Sequence, residues 1–269
     1  MRRQLKIEKN KMKKTYLAVF IIPTMLAAGP ANAAFVESTD GMFSGKLDFT
    51  GTVVDMAPNW KWQIQEASVA KASDWVLIKT NSKVNGNNTE WDLASKGPID
   101  FLQGFMQSTV KIGRSGLTPV VAIAGVQVDS STSHLFSVPV TATVGDSPTA
   151  DGVMTGTYTQ VYAGISALFV NQIINIAADV SNQALAITAK GLLDEHKAAL
   201  EAKYPGMTVS SGGSSSNTSV LSLLTTTDLA QQDRAVSLAT SLSDFKISFP
   251  TGSIPDSWNA SIPVEITLQ

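Results

Sequence analysis

His134 and His196 are the only histidines in this chain, so they are the only side chains that act as bases near neutral pH without a shifted pKa, and there is no cysteine nucleophile. His134 follows a serine-rich turn. His196 lies in the charged run Asp194-Glu195-His196-Lys197, where the residue one helical turn on is Leu200. A metal site wants two or more ligands at helical spacing, so His196 reads as part of a solvated helix face. No Gly-x-Ser-x-Gly elbow and no phosphate loop occur. Asp92 and Asp100 are available as an acid and base pair, but nothing in their spacing separates them from scattered surface acids. No catalytic residue, metal ligand or cofactor is therefore expected. Trp60 and Trp62 share a strand face and read as core. Trp75 and Trp91 stand near polar loops, where an indole could stack on a sugar ring, although core is the simpler reading for both.

The first residues read as a targeting signal. Arg2, Arg3, Lys6, Lys9, Lys11, Lys13 and Lys14 form a basic region, Tyr16 to Ala28 an apolar core, and Ala31-Asn32-Ala33 a small-residue cleavage site. The apolar run is shorter than the roughly 20 residues a bilayer span needs. The expected mature chain is therefore Ala34 to Gln269, exported through the periplasm. Seven of the 20 basic residues and one of the 22 acidic residues precede Ala34, which leaves 13 against 21 and a net charge of −8. Such a chain offers no basic stripe to a nucleic-acid backbone. Without cysteine, stability has to come from burial, which a chain of this length can supply.

Behind the signal, Phe43 to Val53 alternates strictly. Its odd positions Phe43, Gly45, Leu47, Phe49, Gly51 and Val53 form one apolar and glycine face, and its even positions are polar. This spells a strand near the start of the mature chain, free to pair within its own domain or to enter another. Further strands are predicted at Trp60 to Ile64, Trp75 to Lys79, Val120 to Val128 and Phe136 to Val144, the last with Pro139 marking an edge or a bulge. Asn85-Gly86-Asn87-Asn88 is a turn, and Met154 to Tyr162 pairs with Phe136 to Val144 as a hairpin. After Gly164 the period changes. Ile165 to Val180 reads as one helix, Gln183 to Tyr204 as a second, and Asp228 to Leu242 as a third opened by a capping-box pattern, with Ser210 to Ser216 a flexible loop. Strands resume at Phe245 to Phe249 and at the end, where Ala260, Ile262, Val264, Ile266 and Leu268 alternate with polar residues. Strands, a helical insert, then strands imply an all-β sandwich interrupted once.

Phe43-Ser44-Gly45 with its alternating continuation, Trp60-Lys61-Trp62, Gly113-Arg114-Ser115, and Ser257-Trp258-Asn259-Ala260 leading into Val264-Glu265-Ile266-Thr267 follow one another here as they do in FaeG-type fimbrial subunits. The chain resembles that family, the large subunits of kappa-class chaperone-usher pili, over most of its mature length. The helical segment after Gly164 resembles the family's insert. The resemblance implies an immunoglobulin-like sandwich lacking its last strand, so that a groove lies open beside the C-terminal strand Ala260 to Leu268. A periplasmic chaperone would fill that groove first, and the N-terminal segment of a neighbouring subunit would then replace it after delivery to an outer-membrane usher. The implied organisation is a signal peptide at 1–33, a donor-strand extension at 34–54, and a pilin domain at 55–269 with its insert at about 164–242. Phe43, Leu47, Phe49 and Val53 would be the plugs, each large side chain contributing about 1.5 to 3 kcal/mol if well buried. Gly45 and Gly51 would sit where backbones approach closely.

The implied protein is a structural, adhesive, non-enzymatic fimbrial subunit at the cell surface. Its partners would be neighbouring subunits, chaperone, usher and a host glycoconjugate. The chain departs from the family in ending Leu268-Gln269 rather than in aromatic residues, and no position matches a known sugar contact. The alternative reading is a self-contained periplasmic sugar-binding protein or hydrolase, in which Phe43 to Val53 is simply the first strand of a complete sandwich. A small outer-membrane barrel shares the alternation but not the long helical segments or aromatic girdles.

Overall fold

Over Ser133–Val144 the side chains of Phe136, Val138, Val140 and Ala142 are buried while Leu135, Ser137, Pro139 and Thr141 are exposed, as a strand with one face on a core requires. Similar alternation builds most of the molecule. The computed structural model describes residues 36–37, 40–45, 52–55, 60–144, 147–148, 152–168, 172–178, 182–227 and 231–269, all within one compact unit, Asn32–Gln269. The signal region lies outside the described residues.

In chain order the first elements are β1 (Val36–Glu37), β2 (Asp40–Gly45), β3 (Thr52–Asp55), β4 (Trp60–Ile64), α1 (Glu66–Ala72), β5 (Lys83–Asn85), β6 (Asn88–Asp92) and β7 (Ile99–Met106). There follow β8 (Pro119–Ile123), β9 (Val126–Gln127), β10 (Ser133–Val144), β11 (Ser147–Pro148), β12 (Gly152–Leu168) and β13 (Gln172–Ala178). The chain continues through α2 (Gln183–Gly191), α3 (Asp194–Lys203), β14 (Thr208–Ser215), α4 (Asn217–Thr225), β15 (Gln231–Pro250), β16 (Ser257–Ala260) and β17 (Val264–Leu268). One sheet runs β1-β4-β7-β15-β12-β10-β11, with β6 also on β15, β5 on β6, β13 on β12, β14 on β13 and β16 on β10. A second sheet runs β3-β2-β17-β8-β9. Side chains of both sheets join one core, including Trp60, Trp62, Phe101, Val121, Ile123, Val264 and Ile266. The expected all-β sandwich with helices inserted is the fold observed.

Two of the recurring sequence features acquire physical reasons. Trp60 and Trp62 stack with ring centroids 4.8 Å apart and planes 6° from parallel, and the Trp60 indole N–H donates to the Leu117 carbonyl at 2.9 Å. Trp62 lies over Gly104, its register partner on β7, where a Cβ would sit 2.0 Å from the ring. Gly113 and Arg114 donate their backbone N–H groups to the carbonyls of Thr226 (3.0 Å) and Leu224 (2.9 Å), at the C-terminal end of α4. A Cβ on Gly113 would lie 2.6 Å from backbone atoms of Leu224, Thr225 and Thr226, so only glycine allows this approach. The fully buried Arg234 closes the same helix end, donating to the carbonyls of Leu223, Thr226 and Lys111 at 2.8 to 2.9 Å. A cation there also meets the negative end of the helix dipole.

The helical insert is smaller than its sequence suggested. Ile165 to Val180 is not a helix: β12 continues to Leu168 and β13 occupies Gln172–Ala178. Asp228 to Leu242 is not a helix either, because β15 runs from Gln231. In both places helices cover the outer face of the strands. Val220 and Leu223 of α4 pack on Gly164, Asn217 accepts from the Tyr162 N–H and donates to the Gln160 carbonyl, and Ser237 donates to the Ala189 carbonyl of α2. Strands buried on both faces lose the period of two, and their apolar residues then also satisfy a helical spacing. The predicted Gln183–Tyr204 helix is present but divided at Leu192-Leu193 into α2 and α3. Ser210 to Ser216 is mostly β14, which pairs in parallel with β13; its small polar side chains carry no trace of that backbone pairing.

Other predictions fare unevenly. The β10–β12 hairpin forms with Phe136 opposite Gly156, and Pro139 lies one residue beyond the point where β16 stops pairing with β10, so its missing N–H interrupts no ladder on that side. Val120 to Val128 is two short strands, β8 and β9, joined by a turn at Ala124-Gly125, both with positive φ. Trp75 to Lys79 is not a strand; Trp75 is held by its indole bond to the Lys71 carbonyl. The seven-residue α1 was not predicted at all, being shorter than periodicity resolves.

Candidate functional site: the edge of the C-terminal strand

The predicted strand Ala260 to Leu268 is broken in two. Ala260 belongs to β16 and pairs with Val140 of β10, whereas β17 begins at Val264 and belongs to the other sheet. The break falls at Ser261-Ile262-Pro263, where proline cannot continue a ladder and the Pro263 carbonyl instead accepts from the Ala124 N–H at 2.9 Å. Ile262 is buried across the corner. The chain thus changes sheets inside what reads as one alternating run.

β17 presents Val264 and Ile266 to the core, with Leu268 half-buried and Glu265 and Thr267 outward-facing and exposed. On one side it pairs with β8, Val264 opposite Ile123 through Leu268 opposite Pro119. Reciprocal backbone bonds between Thr118 and Gln269 at 2.9 and 3.0 Å extend that pairing to the last residue. On its other side β17 pairs with β2, antiparallel, with Val264 opposite Gly45, Glu265 opposite Ser44, Ile266 opposite Phe43 and Thr267 opposite Met42. Here the first half of the alternating N-terminal stretch meets the C-terminal strand of the same chain.

The stretch itself is not one straight strand in this structure. β2 and β3 pair antiparallel, with Phe43 opposite Val53 and Ser44 opposite Thr52. Alternation is indifferent to this outcome, since a hairpin and a continuous strand share a period of two. Leu47, Phe49 and Gly51 lie outside the described residues. Of the eleven positions joined by the sequence reading, the backbone pairing brings Phe43 and Gly45 against Val264 and Ile266, while Val53 sits one strand further out.

The residues considered for catalysis do not assemble a reactive centre. Ser131 Oγ lies 2.9 Å and Asp129 Oδ1 3.3 Å from the same ring nitrogen, His134 Nε2. In a hydrolytic triad the acid must hold the opposite nitrogen to the one that serves the hydroxyl. Hydrogen bonds from the Ser131 hydroxyl and N–H, aided by nearby His134, hold the Asp129 carboxyl below its ordinary range. His196 is not on a solvated face: its Nε2 donates to the Met106 carbonyl at 2.5 Å, anchoring α3 to β7. Asp92 accepts from the Ala94 N–H in a local turn, and Asp92 and Asp100 face β15 residues Lys246 and Ser241, five positions apart. Among the described residues no group of three or more His, Asp or Glu side chains could hold a metal, and no helix is long and apolar enough to cross a membrane.

A buried ionic tie fixes the start of β15. Asp233, with φ of 43°, is almost fully buried and meets Lys203 Nζ at 2.6 Å and the Tyr204 hydroxyl. Burial alone would push this carboxyl up, but the hydrogen bonds from Lys203 and Tyr204 and the charge of Lys203 hold it below the ordinary range. Sequence reasoning missed this pair because it lies thirty residues apart in the chain.

Comparison with curated proteins finds no match. Comparison with protein families matches residues 12–269 to the K88 family described as fimbrial, major and minor subunit. That family consists of structural subunits of a surface appendage, which associate with other subunits. With nearly its whole length matched and a sandwich closed at its C-terminal strand by its own leading segment, the chain belongs to the K88-type family of fimbrial major and minor subunits.

Proposed function

We propose that this fimbrial subunit polymerises by strand exchange: residues 34–54 leave their own body and lie along β17 of a neighbouring copy, and the assembled fibre contacts host glycans. The observation that carries the reading is the antiparallel register of β2 on β17, which supplies backbone partners to an edge whose other side is already fixed by β8. Among the described residues β2 has no partner in the larger sheet; its neighbours are β17 and β3, and the two-residue β1 alone ties the leader to β4. The leader can therefore be replaced by an identical one without breaking the β4-β7-β15-β12-β10 ladder. An open edge beside buried Val264 and Ile266 is an aggregation hazard, which gives a periplasmic chaperone its task before the usher passes the subunit on. Phe43, Leu47, Phe49 and Val53 supply the inserted side chains and Gly45 and Gly51 the close approaches.

The experiment is co-expression with the cognate chaperone and usher. Leu47→Asp and Phe49→Asp abolish polymerisation and leave chaperone capture intact, read by electron microscopy of shed fibres and by pull-down. Normal fibres from either variant overturn the proposal. The self-contained periplasmic reading predicts instead that deletion of residues 34–54 leaves a stable monomer.

A further inference from the structure

A cavity of about 590 Å³ opens beside β16, between the segment that follows α1 and the residues leading into β16. Its walls include Trp75, Trp91 and Trp258, three of the five tryptophans in the chain. That volume falls in the range of small-molecule sites, which combine apolar walls with a few placed polar groups. Trp91 is buried and gives its indole N–H to the Ile78 carbonyl at 2.9 Å, so it forms the back wall. Trp75 is half-buried, gives its N–H to the Lys71 carbonyl at 2.5 Å, and packs edge-to-face on Phe245 with centroids 5.0 Å apart. With that N–H engaged, Trp75 contributes π surface held in a fixed orientation. Trp258 is half-buried on β16, which among the described residues pairs with β10 alone.

The rim carries the polar groups. Asp74 is exposed and holds φ of 58°, a conformation that aspartate tolerates but that is sparsely populated and recurs at functional sites. The side chains of Asp74 and Asn259 have no hydrogen bond or ion pair with any described residue. Asp256 and Lys79 complete the charged lining. Two carboxylates against one ammonium leave the rim net negative, which disfavours phosphate, sulfate and acidic sugars.

We infer that this cleft binds a neutral pyranose unit of a glycan, its C–H face against Trp75 and Trp258 and its hydroxyls donating to Asp74 and exchanging hydrogen bonds with Asn259. The inference rests on the adhesive reading above and adds to it a place and a ligand class. Carboxylate and amide side chains are acceptor and donor in the combination that vicinal hydroxyls use, and aromatic faces favour the apolar side of a sugar ring over a charged group.

The test is fluorescence titration of the full exported chain with methyl glycosides of galactose, glucose, mannose and N-acetylglucosamine, with N-acetylneuraminic acid as the charged control. At least one neutral glycoside shifts the tryptophan emission saturably and the acidic sugar does not. Asp74→Asn and Asn259→Ala each weaken that binding by about tenfold, as expected for a lost hydrogen bond to a charged or polar group, and Trp258→Leu abolishes it, with thermal melts unchanged for the two rim variants. Glycan adhesion of assembled fibres is measured in parallel. Fibres that adhere with all three variants intact overturn the cleft and leave the adhesive reading standing; fibres that adhere to no glycan overturn both. Binding of an extended apolar peptide along the β16 edge, undisturbed by any glycoside, also overturns the inference.

Discussion

The two long strands β12 and β15 and the short terminal strand β17 are all nearly free of exposed apolar surface on their core faces, yet they are held in different ways. β15 has β12 along one edge and β7 and β6 along the other, every partner drawn from the body of the chain. β17 has β8 on one edge and, on the other, a six-residue strand from the leader. Side-chain burial therefore says little about which strand is replaceable. What differs is the origin of the backbone partner, because unpaired N–H and C=O groups on a buried edge cost free energy wherever they occur.

The largest effect that sharpens this contrast is on amide exchange. Deleting residues 34–54 strips protection from Val264, Ile266 and their neighbours on β17, whereas β15 amides keep theirs; hydrogen exchange with mass spectrometry reads both, and equal protection in the two strands breaks the comparison. Next comes the core under β4. Trp62→Ala removes a fully buried ring stacked on Trp60 and costs about 3 to 5 kcal/mol, measured by denaturant midpoint, and it destabilises the larger sheet without selectively freeing β2. Gly113→Ala costs about 1 to 3 kcal/mol as overpacking against the end of α4; a variant as stable as the parent shows that the close approach is not needed.

The smallest effect is in the pH dependence. The Asp233 carboxyl is held below the ordinary value of about 3.9, so its stabilisation is complete above that value and is lost as pH falls through the lowered folded pKa. Lys203 is raised by its bond to Asp233, so its share persists at neutral pH and is lost only as pH rises beyond its raised pKa. Asp233→Asn flattens the acid limb of the melting-temperature profile below pH 4 without changing β17 protection. A parallel acid limb in parent and variant contradicts the assignment.

Much of the sandwich was legible because half-buried strands keep their alternation. Phe136 to Val144, Met154 to Tyr162 and Phe245 to Phe249 lie where that pattern put them. Ile165 to Val180 and Asp228 to Leu242 misled because the end of β12 and the first half of β15 are covered on both faces, which erases the period of two, and because β13 carries Ile174 and Ile176 on its half-buried face as well as Ile173 on its buried one. At the candidate site, the apolar set Val264, Ile266 and Leu268 could be read directly. The corner at Ser261-Ile262-Pro263 could not, since alternation continues through a change of sheet.

The sequence alone determined which residues alternate, which glycines and tryptophans recur in order, and that neither a cysteine nor a paired histidine motif is present, because these are local properties of the chain. Only tertiary structure decided which edge each strand meets. Backbone pairing is the same for every side chain, so the meeting of Phe43 with Ile266 across more than two hundred residues leaves no local mark. The same holds for Asp233 with Lys203, and for the three tryptophans that wall one cleft.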